Sequence, residues 1–272
     1  MTTDAVKAVS LKKVAISFGI GQRDQYDAVS DIDLDIGEQE FVAIVGPTGC
    51  GKSTLLNVAA GLLRPYAGSV EVFGTELTGI NRRAGYLFQQ DALMPWKTAI
   101  ENVALGLEVA GMGKRDAADA ARQALARVGL AAFADRYPLK LSGGQRKRVG
   151  LAQVLIRNPQ LLLMDEPFGP LDAQTRLLMG DLLLTLWSQN KKAVMFVTHD
   201  LDEAIALADR IILMSAGPRS KIIGEFNVPL TRPRDIGEIR HNPDFIALHR
   251  QIWHALKGEV MKAYDDMPKV TP

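Results

Sequence analysis

The sequence predicts an α/β fold: a mainly parallel sheet with crossover helices, an N-terminal antiparallel β subdomain and an inserted helical subdomain. Three observations predict it. Short apolar runs alternate with longer helical patterns, 41–45 before 53–63, 161–164 before Ala173–Gln189, and 194–197 before 201–208, the order of parallel strands joined by helices. Segments 14–18, 32–36 and 70–73 alternate apolar and polar residues, as half-buried antiparallel strands do. Between Trp96 and Tyr137 the pattern is helical only, with 99–110 and 115–128 punctuated by Gly111 and Gly113.

Farther along, Pro229 and Pro233 mark a break, and an amphipathic helix is expected from Pro243 to about Gly258. The expected organisation is a core from 1–96 and 138–226 that includes the N-terminal β subdomain, a helical insert at 97–137 that extends into a following helix, and a C-terminal extension at 227–272. No internal repeat or low-complexity tract interrupts it.

Composition narrows the function. Thirty-two Lys and Arg against 31 Asp and Glu give a net charge of +1 over 272 residues, so no domain-wide basic field is available for a phosphate backbone or an anionic bilayer. No nucleic-acid partner is expected. The single cysteine, Cys50, cannot form an internal bridge and fits a reducing compartment. The first 18 residues carry Asp4, Lys7, Lys12 and Lys13 without an apolar core, unlike a secretory signal. The longest apolar stretches, 41–51 and 53–63, are split by Lys52 and fall short of the roughly 20 residues that span a bilayer. A cytoplasmic protein that meets membranes through a partner is expected.

Gly46-Pro47-Thr48-Gly49-Cys50-Gly51-Lys52-Ser53 fits G-x-x-x-x-G-K-[ST], after a predicted strand and at the start of a predicted helix that continues through Thr54. A triphosphate is densely anionic and is held best by backbone N–H groups at a helix N-terminus, where glycines leave room for approach. Lys52 is then suited to the β- and γ-phosphates and the Ser53 hydroxyl to Mg²⁺. Cys50 could be an activated thiol at a helix start, but a small side chain filling the loop is the simpler reading.

A second element is the apolar run 161–164, which ends in Asp165-Glu166-Pro167. Two acids at the end of a buried strand need a cation or a partner. Asp165 suits Mg²⁺, directly or through its waters, and Glu166 suits a general base for the water that attacks the γ-phosphate. The alternative is a strand whose polar end reaches solvent.

Many nucleotide hydrolases share those two elements, which with the alternating strands and helices resemble a P-loop NTPase core. Leu141-Ser142-Gly143-Gly144-Gln145, 20 residues before Asp165, resembles the signature motif of ATP-binding cassette proteins. Taken alone, Ser142 with Gly143 and Gly144 also fits a bare helix cap. Phe88-Gln89 resembles the family's Q-loop, Gly169-Pro170-Leu171-Asp172 its D-loop, and Thr198-His199-Asp200 its switch histidine. Pro170 replaces the usual alanine-like residue. The resemblance covers nearly the whole chain and implies MgATP binding and hydrolysis between two copies in head-to-tail arrangement. Ser142, Gly143, Gly144 and Gln145 would complete the partner copy's site, and Asp172 would align it. It further implies that Gln89 meets Mg²⁺ and the attacking water, that His199 contacts the γ-phosphate, and that an aromatic residue ahead of the phosphate loop stacks on adenine. Phe18 matches that position, with Tyr26 as the alternative.

Leu93-Met94-Pro95-Trp96 and Leu230-Thr231-Arg232-Pro233-Arg234, with the closing helix around Phe245 and Leu248, resemble the nitrate, sulfonate and taurine importer class. Implied partners are transmembrane permease subunits and a periplasmic or extracellular solute-binding protein, with the motor peripheral on the inner face of the membrane. Trp96 reads either as part of a permease-docking wall or as a core aromatic. Other readings are the motor of a lipid or drug exporter, a soluble remodelling ATPase, or a non-catalytic regulatory cassette. The soluble ATPase predicts long coiled-coil inserts or paired cassettes, and no sustained heptads occur. The regulatory cassette predicts loss of Lys52, Glu166 or His199, and all three are present.

Overall fold

The computed structural model describes residues 6–22 and 25–265, with side chains up to 263. The chain divides into two compact units, Met1–Arg82 with Lys191–Pro272, and Arg83–Asn190.

The first unit contains β1 (Lys7–Phe18), β2 (Tyr26–Gly37), β3 (Phe41–Val45), α1 (Lys52–Ala59), β4 (Ala67–Val72) and β5 (Thr75–Glu76). The returning chain adds β8 (Ala193–Val197), α6 (Leu201–Leu207), β9 (Arg210–Met214), β10 (Ile222–Asn227) and α7 (Pro243–Asp265). An antiparallel sheet runs in the order β2-β1-β4-β5. In β2, Ile32, Leu34 and Ile36 point to the core while Asp31, Asp33 and Asp35 face outward, and such outward acids discourage pairing at a sheet edge. Strand β1 starts well before the expected segment 14–18. The register shifts between Leu11 and Val14, and Lys13 takes φ 51° there; this bulge scrambles the alternation by which the earlier half would be recognised.

A second set runs β10-β9-β3-β8, in which β8, β3 and β9 are parallel and β10 is antiparallel. Every residue of β3 and β8 is buried, as expected for parallel strands covered on both faces. Helix α1 stops at Ala59, short of the expected 63. Gly61 takes φ 69°, its N–H donates to the Val58 carbonyl, and Leu62 N–H donates to the Asn57 carbonyl, a glycine-dependent helix stop.

Helix α7 buries Phe245, Leu248, Ile252 and Leu256 at helical spacing and packs on α6. It runs past the expected end near Gly258, because Glu259 accepts a hydrogen bond from Ala216 N–H at 2.8 Å and pairs with Lys262 at 2.6 Å. Those contacts outweigh the weak helix propensity of one glycine. The segment leading to α7 closes the end of α6. Arg234, buried, donates to the carbonyls of Ile205, Ala206, Ala208 and Leu230, and Arg232 donates to Leu207 O and Asp209. Burial, with Arg232 beside it, pulls the Arg234 guanidinium down to about 10, so it stays charged at neutral pH.

The second unit contains β6 (Ala84–Leu87), α2 (Ala99–Val109), α3 (Lys114–Arg127), α4 (Gly143–Leu155), β7 (Leu161–Asp165) and α5 (Ala173–Gln189). Strands β6 and β7 are parallel, and α2 packs on α3 and α4. The helices match the expected 99–110 and 115–128 to within about one residue at each end, the usual looseness of helix boundaries. Strands β5, β6, β9 and β10 are absent from the order read from sequence. Together the elements give the expected P-loop NTPase class, with a mainly parallel core, an antiparallel sheet and a helical portion.

Arg234→Ala is expected to lose about 2–4 kcal/mol of stability, since several buried carbonyls lose one shared donor. Denaturant unfolding of the variant against the parent measures it.

Candidate functional site

The phosphate loop leaves the carboxyl end of β3 in the first unit. Gly51, immediately before α1, has φ 90°, and a Cβ there would lie 2.5 Å from Val29 Cγ1. Only glycine fits that conformation and that gap together. Lys52 is buried, and its ammonium donates to the Gly46 and Pro47 carbonyls at 2.9 Å each. The loop thus curls around the side chain that sequence assigns to phosphate. Thr48, Gly49 and Ser53 are exposed, and Thr54 is half-buried. Cys50 is buried, and burial pushes its thiol up; it fills the loop rather than acting as a nucleophile.

His199 follows β8 and is exposed. Its turn is fixed on both sides. Thr198 Oγ1 donates to Glu203 Oε2 at 2.7 Å and accepts from Asp200 N–H at 3.0 Å. Asp200 caps α6 by accepting from the N–H groups of Asp202 and Glu203. The two aromatic candidates are cross-strand partners, Phe18 on β1 opposite Tyr26 on β2, and both are exposed. Tyr26 reaches the loop, its hydroxyl lying 3.5 Å from the Gly49 carbonyl.

The acids stand in the second unit. Strand β7 is buried up to Met164, and Asp165 at its end is half-buried. Glu166 takes φ 39°, a left-handed conformation that costs a non-glycine residue of order 1–3 kcal/mol and is typical of functional positions. Gln89 Nε2 donates to Glu166 Oε2 at 3.1 Å, so the Q-loop candidate and the base candidate are brought together. Sequence reasoning misses what holds Gln89. Lys147, buried on α4, donates to the Gln89 carbonyl at 2.6 Å and pairs with Asp91 at 3.0 Å, while Arg146 pairs with Asp91 at 2.8 Å. The available signal is the Gln145-Arg146-Lys147-Arg148 run, whose cations read as solvated surface until the fold is known.

Ser142 and Gln145 form a reciprocal cap on α4, with Gln145 N–H donating to Ser142 Oγ and Ser142 N–H donating to Gln145 Oε1. Gly144 is packed so closely that a Cβ would lie 2.6 Å from Thr175 Cγ2. Asp172 caps α5 by accepting from Thr175 N–H and its hydroxyl, and those bonds hold its carboxyl below the usual range. Trp96 is 72% exposed, which excludes the core-aromatic reading. Its turn is pinned by Asn102, a fully buried side chain that accepts from Met94 N–H at 2.7 Å and donates to the Met94, Lys97 and Thr98 carbonyls.

The sequence profile of the ABC transporter family matches residues 29–169. The chain belongs to this family. The taurine import ATP-binding protein TauB of Pseudomonas aeruginosa (strain PAO1) is 44% identical over 88% of this chain and 92% of its own length. An uncharacterized ABC transporter ATP-binding protein of Methanocaldococcus jannaschii is 43% identical over 87% of this chain and 86% of its own. Among solved structures, a dimeric ATP-binding cassette in a post-hydrolysis state bound to ADP and Pi superposes with a TM-score of 0.72 at 33% identity, covering 82% of this chain and all of that one. The cassette is therefore an ATP-binding ATPase of the transporter family. No helix among its described residues is long and apolar enough to cross a membrane.

Gly51→Ala in this cassette is expected to weaken binding of a fluorescent ATP analogue about tenfold or more, because the new methyl group meets both a left-handed backbone and Val29. Parental affinity in that titration would show that the loop does not need the observed conformation.

Proposed function

We propose that the cassette is the ATP-hydrolysing motor of an importer for a small anionic solute of the nitrate, sulfonate or taurine kind. Two copies would act head to tail beneath transmembrane permease subunits on the inner face of the membrane, with a solute-binding protein delivering the solute. The observation that carries the chemistry is Glu166, held in a strained backbone conformation and hydrogen-bonded by Gln89. The importer assignment is supported by the extent of likeness to a taurine import ATP-binding protein.

In this reading Gly46, Pro47, Thr48, Gly49, Cys50, Gly51 and Thr54 present loop backbone to the triphosphate, and Lys52 releases loop carbonyls to meet the β- and γ-oxygens. Ser53, Asp165 and Gln89 offer a hydroxyl, a carboxylate and an amide oxygen, a hard-oxygen donor set that fits Mg²⁺. When bound, Mg²⁺ supplies charge neutralisation across the β- and γ-phosphates. Glu166 takes the proton of the attacking water, and His199 contacts the γ-phosphate from its rigid turn. Phe18 stacks on adenine, with Tyr26 opposite it on β2 as the alternative. Ser142, Gly143, Gly144 and Gln145 face the γ-phosphate of the opposing copy, where the N-terminus of α4 is an anion site. Asp172, anchored on α5, aligns that junction.

Core, insert and C-terminal extension are assigned to 1–96 with 138–226, 97–137 and 227–272. Permease docking falls on Leu93, Met94 and Trp96 beside the insert, since these follow Gln89 on one short segment and an exposed aromatic anchor is what such an interface concentrates on.

Glu166→Gln is expected to keep ATP binding, to slow hydrolysis by at least ~10²-fold, the lower end of general-base contributions, and to accumulate an ATP-bound dimer. Phosphate release and size-exclusion chromatography with ATP read the two effects; hydrolysis at the parental rate would remove Glu166 as the base. Trp96→Ala is expected to hydrolyse ATP normally, yet to co-purify poorly with its permease and support little uptake. Normal co-purification and transport would take the docking surface away from this turn.

A further inference from the structure

The cassette carries a side chain that none of its motifs claims and that touches one of the two acids. Tyr86 lies on β6 opposite Leu163 of β7, and residues two apart on a strand share a face, so Tyr86 and Asp165 lie on the same side of the pair. The Tyr86 hydroxyl hydrogen-bonds the Asp165 carboxylate. A phenol carries its proton at neutral pH, and a carboxylate can only accept, so the hydroxyl is the donor. The ring is held as well: it stacks on Phe88 with centroids 4.2 Å apart and planes 21° from parallel.

Phe88 precedes Gln89, and Gln89 donates to Glu166. The ends of β6 and β7 are thus joined twice, Tyr86 to Asp165 and Gln89 to Glu166, with the Tyr86–Phe88 stack tying the two donors together.

We propose that Tyr86 is a positioning residue for the metal-binding carboxylate, its hydroxyl fixing the rotamer of Asp165 so that MgATP meets an oriented oxygen. The inference rests on Asp165 being a metal ligand. A carboxylate with a free χ2 must be ordered when the cation arrives, whereas one already bonded through one oxygen presents the other in a set direction. The hydroxyl is neither a metal ligand nor a nucleotide contact.

Tyr86→Phe removes the hydroxyl and retains the stack. It is expected to raise the Mg²⁺ concentration for half-maximal ATP hydrolysis about tenfold, the lower end for loss of a partner that orients a metal ligand. Mn²⁺ bound in the presence of ATP, counted by the electron paramagnetic resonance of free Mn²⁺, should weaken by a similar factor. ATP affinity in excess EDTA and the melting temperature should stay at parental values. Phe88→Leu, which removes the stack and leaves the hydroxyl, should retain Mn²⁺ affinity. Asp165→Asn separates the positioning role of Tyr86 from the metal assignment of Asp165. If it weakens Mn²⁺ binding while Tyr86→Phe does not, Tyr86 merely packs, and the positioning role is overturned with the metal assignment intact. If Asp165→Asn binds Mn²⁺ as the parent does, Asp165 is not a ligand and the positioning role falls with it. Equal losses in Tyr86→Phe and Phe88→Leu would assign the effect to ring packing and also overturn the proposal.

Discussion

The constraint on which the rest depends is the hydrogen bonding of short parallel strands, of which β3 and β8 are wholly buried. Strands β3 and β8 in one unit, and β6 with β7 in the other, have their backbone groups paired along the ladder, which leaves them little freedom to shift. Each of the assigned catalytic groups follows the carboxyl end of such a strand: the phosphate loop after β3, His199 after β8, Gln89 after β6, and Asp165 with Glu166 at the end of β7. The chemistry stands on loops, and the loops are anchored on elements that cannot slip without exposing or unpairing a buried ladder.

Anchoring alone does not orient side chains. Around each loop the cassette adds polar groups that are themselves buried or half-buried. Lys147 holds the backbone of Gln89, Asn102 satisfies four partners around the 94–98 turn, and Thr198 with Asp200 frames His199. A buried amide or ammonium is costly unless paired, so each tolerates essentially one arrangement of its neighbours. Asn102 also explains how an exposed Trp96 can be part of a rigid surface: the tryptophan faces outward from a turn whose backbone is bonded inward. The strained backbone at Glu166 belongs with these, since the bond from Gln89 helps hold a conformation that an isolated turn would leave.

Sequence reveals this site unevenly, for physical reasons. Glycine spacing, a buried run ending in acids, and helix-start residues are local signals, so the phosphate loop, Asp165, Glu166 and the Ser142 cap are all legible. Strands 41–45 and 161–164 are legible too, because burial on both faces gives a continuous apolar run. Strand β6, Ala84–Leu87, is not: Ala-Gly-Tyr-Leu lacks the β-branched residues that favour strands, and its glycine is required because a Cβ would lie 2.6 Å from Val154 Cγ1. The same blind spot hides Tyr86, whose role exists only through its neighbour on β7. Long-range partners hide Arg234 as well. In sequence it is one arginine beside a proline; in the fold it supplies donors to carbonyls 26 to 29 residues earlier.

That last pairing gives the C-terminal segment a part in the site without touching it. Helix α6 begins just after His199 and is only seven residues long, too short to persist by its own hydrogen bonds. Its N-terminus is closed by Asp200, its C-terminus by Arg232 and Arg234, and its flank by α7, with Asp202 on its first turn paired to Arg240 at 3.2 Å. The position of His199 therefore depends on a helix whose two ends are satisfied from opposite directions in the chain, one by the residue beside the histidine and the other by a segment some thirty residues later. In an isolated helix those terminal carbonyls would turn to water and the last turn would fray. With Arg234 in place the short helix behaves as part of the sheet it covers, and the histidine inherits that rigidity.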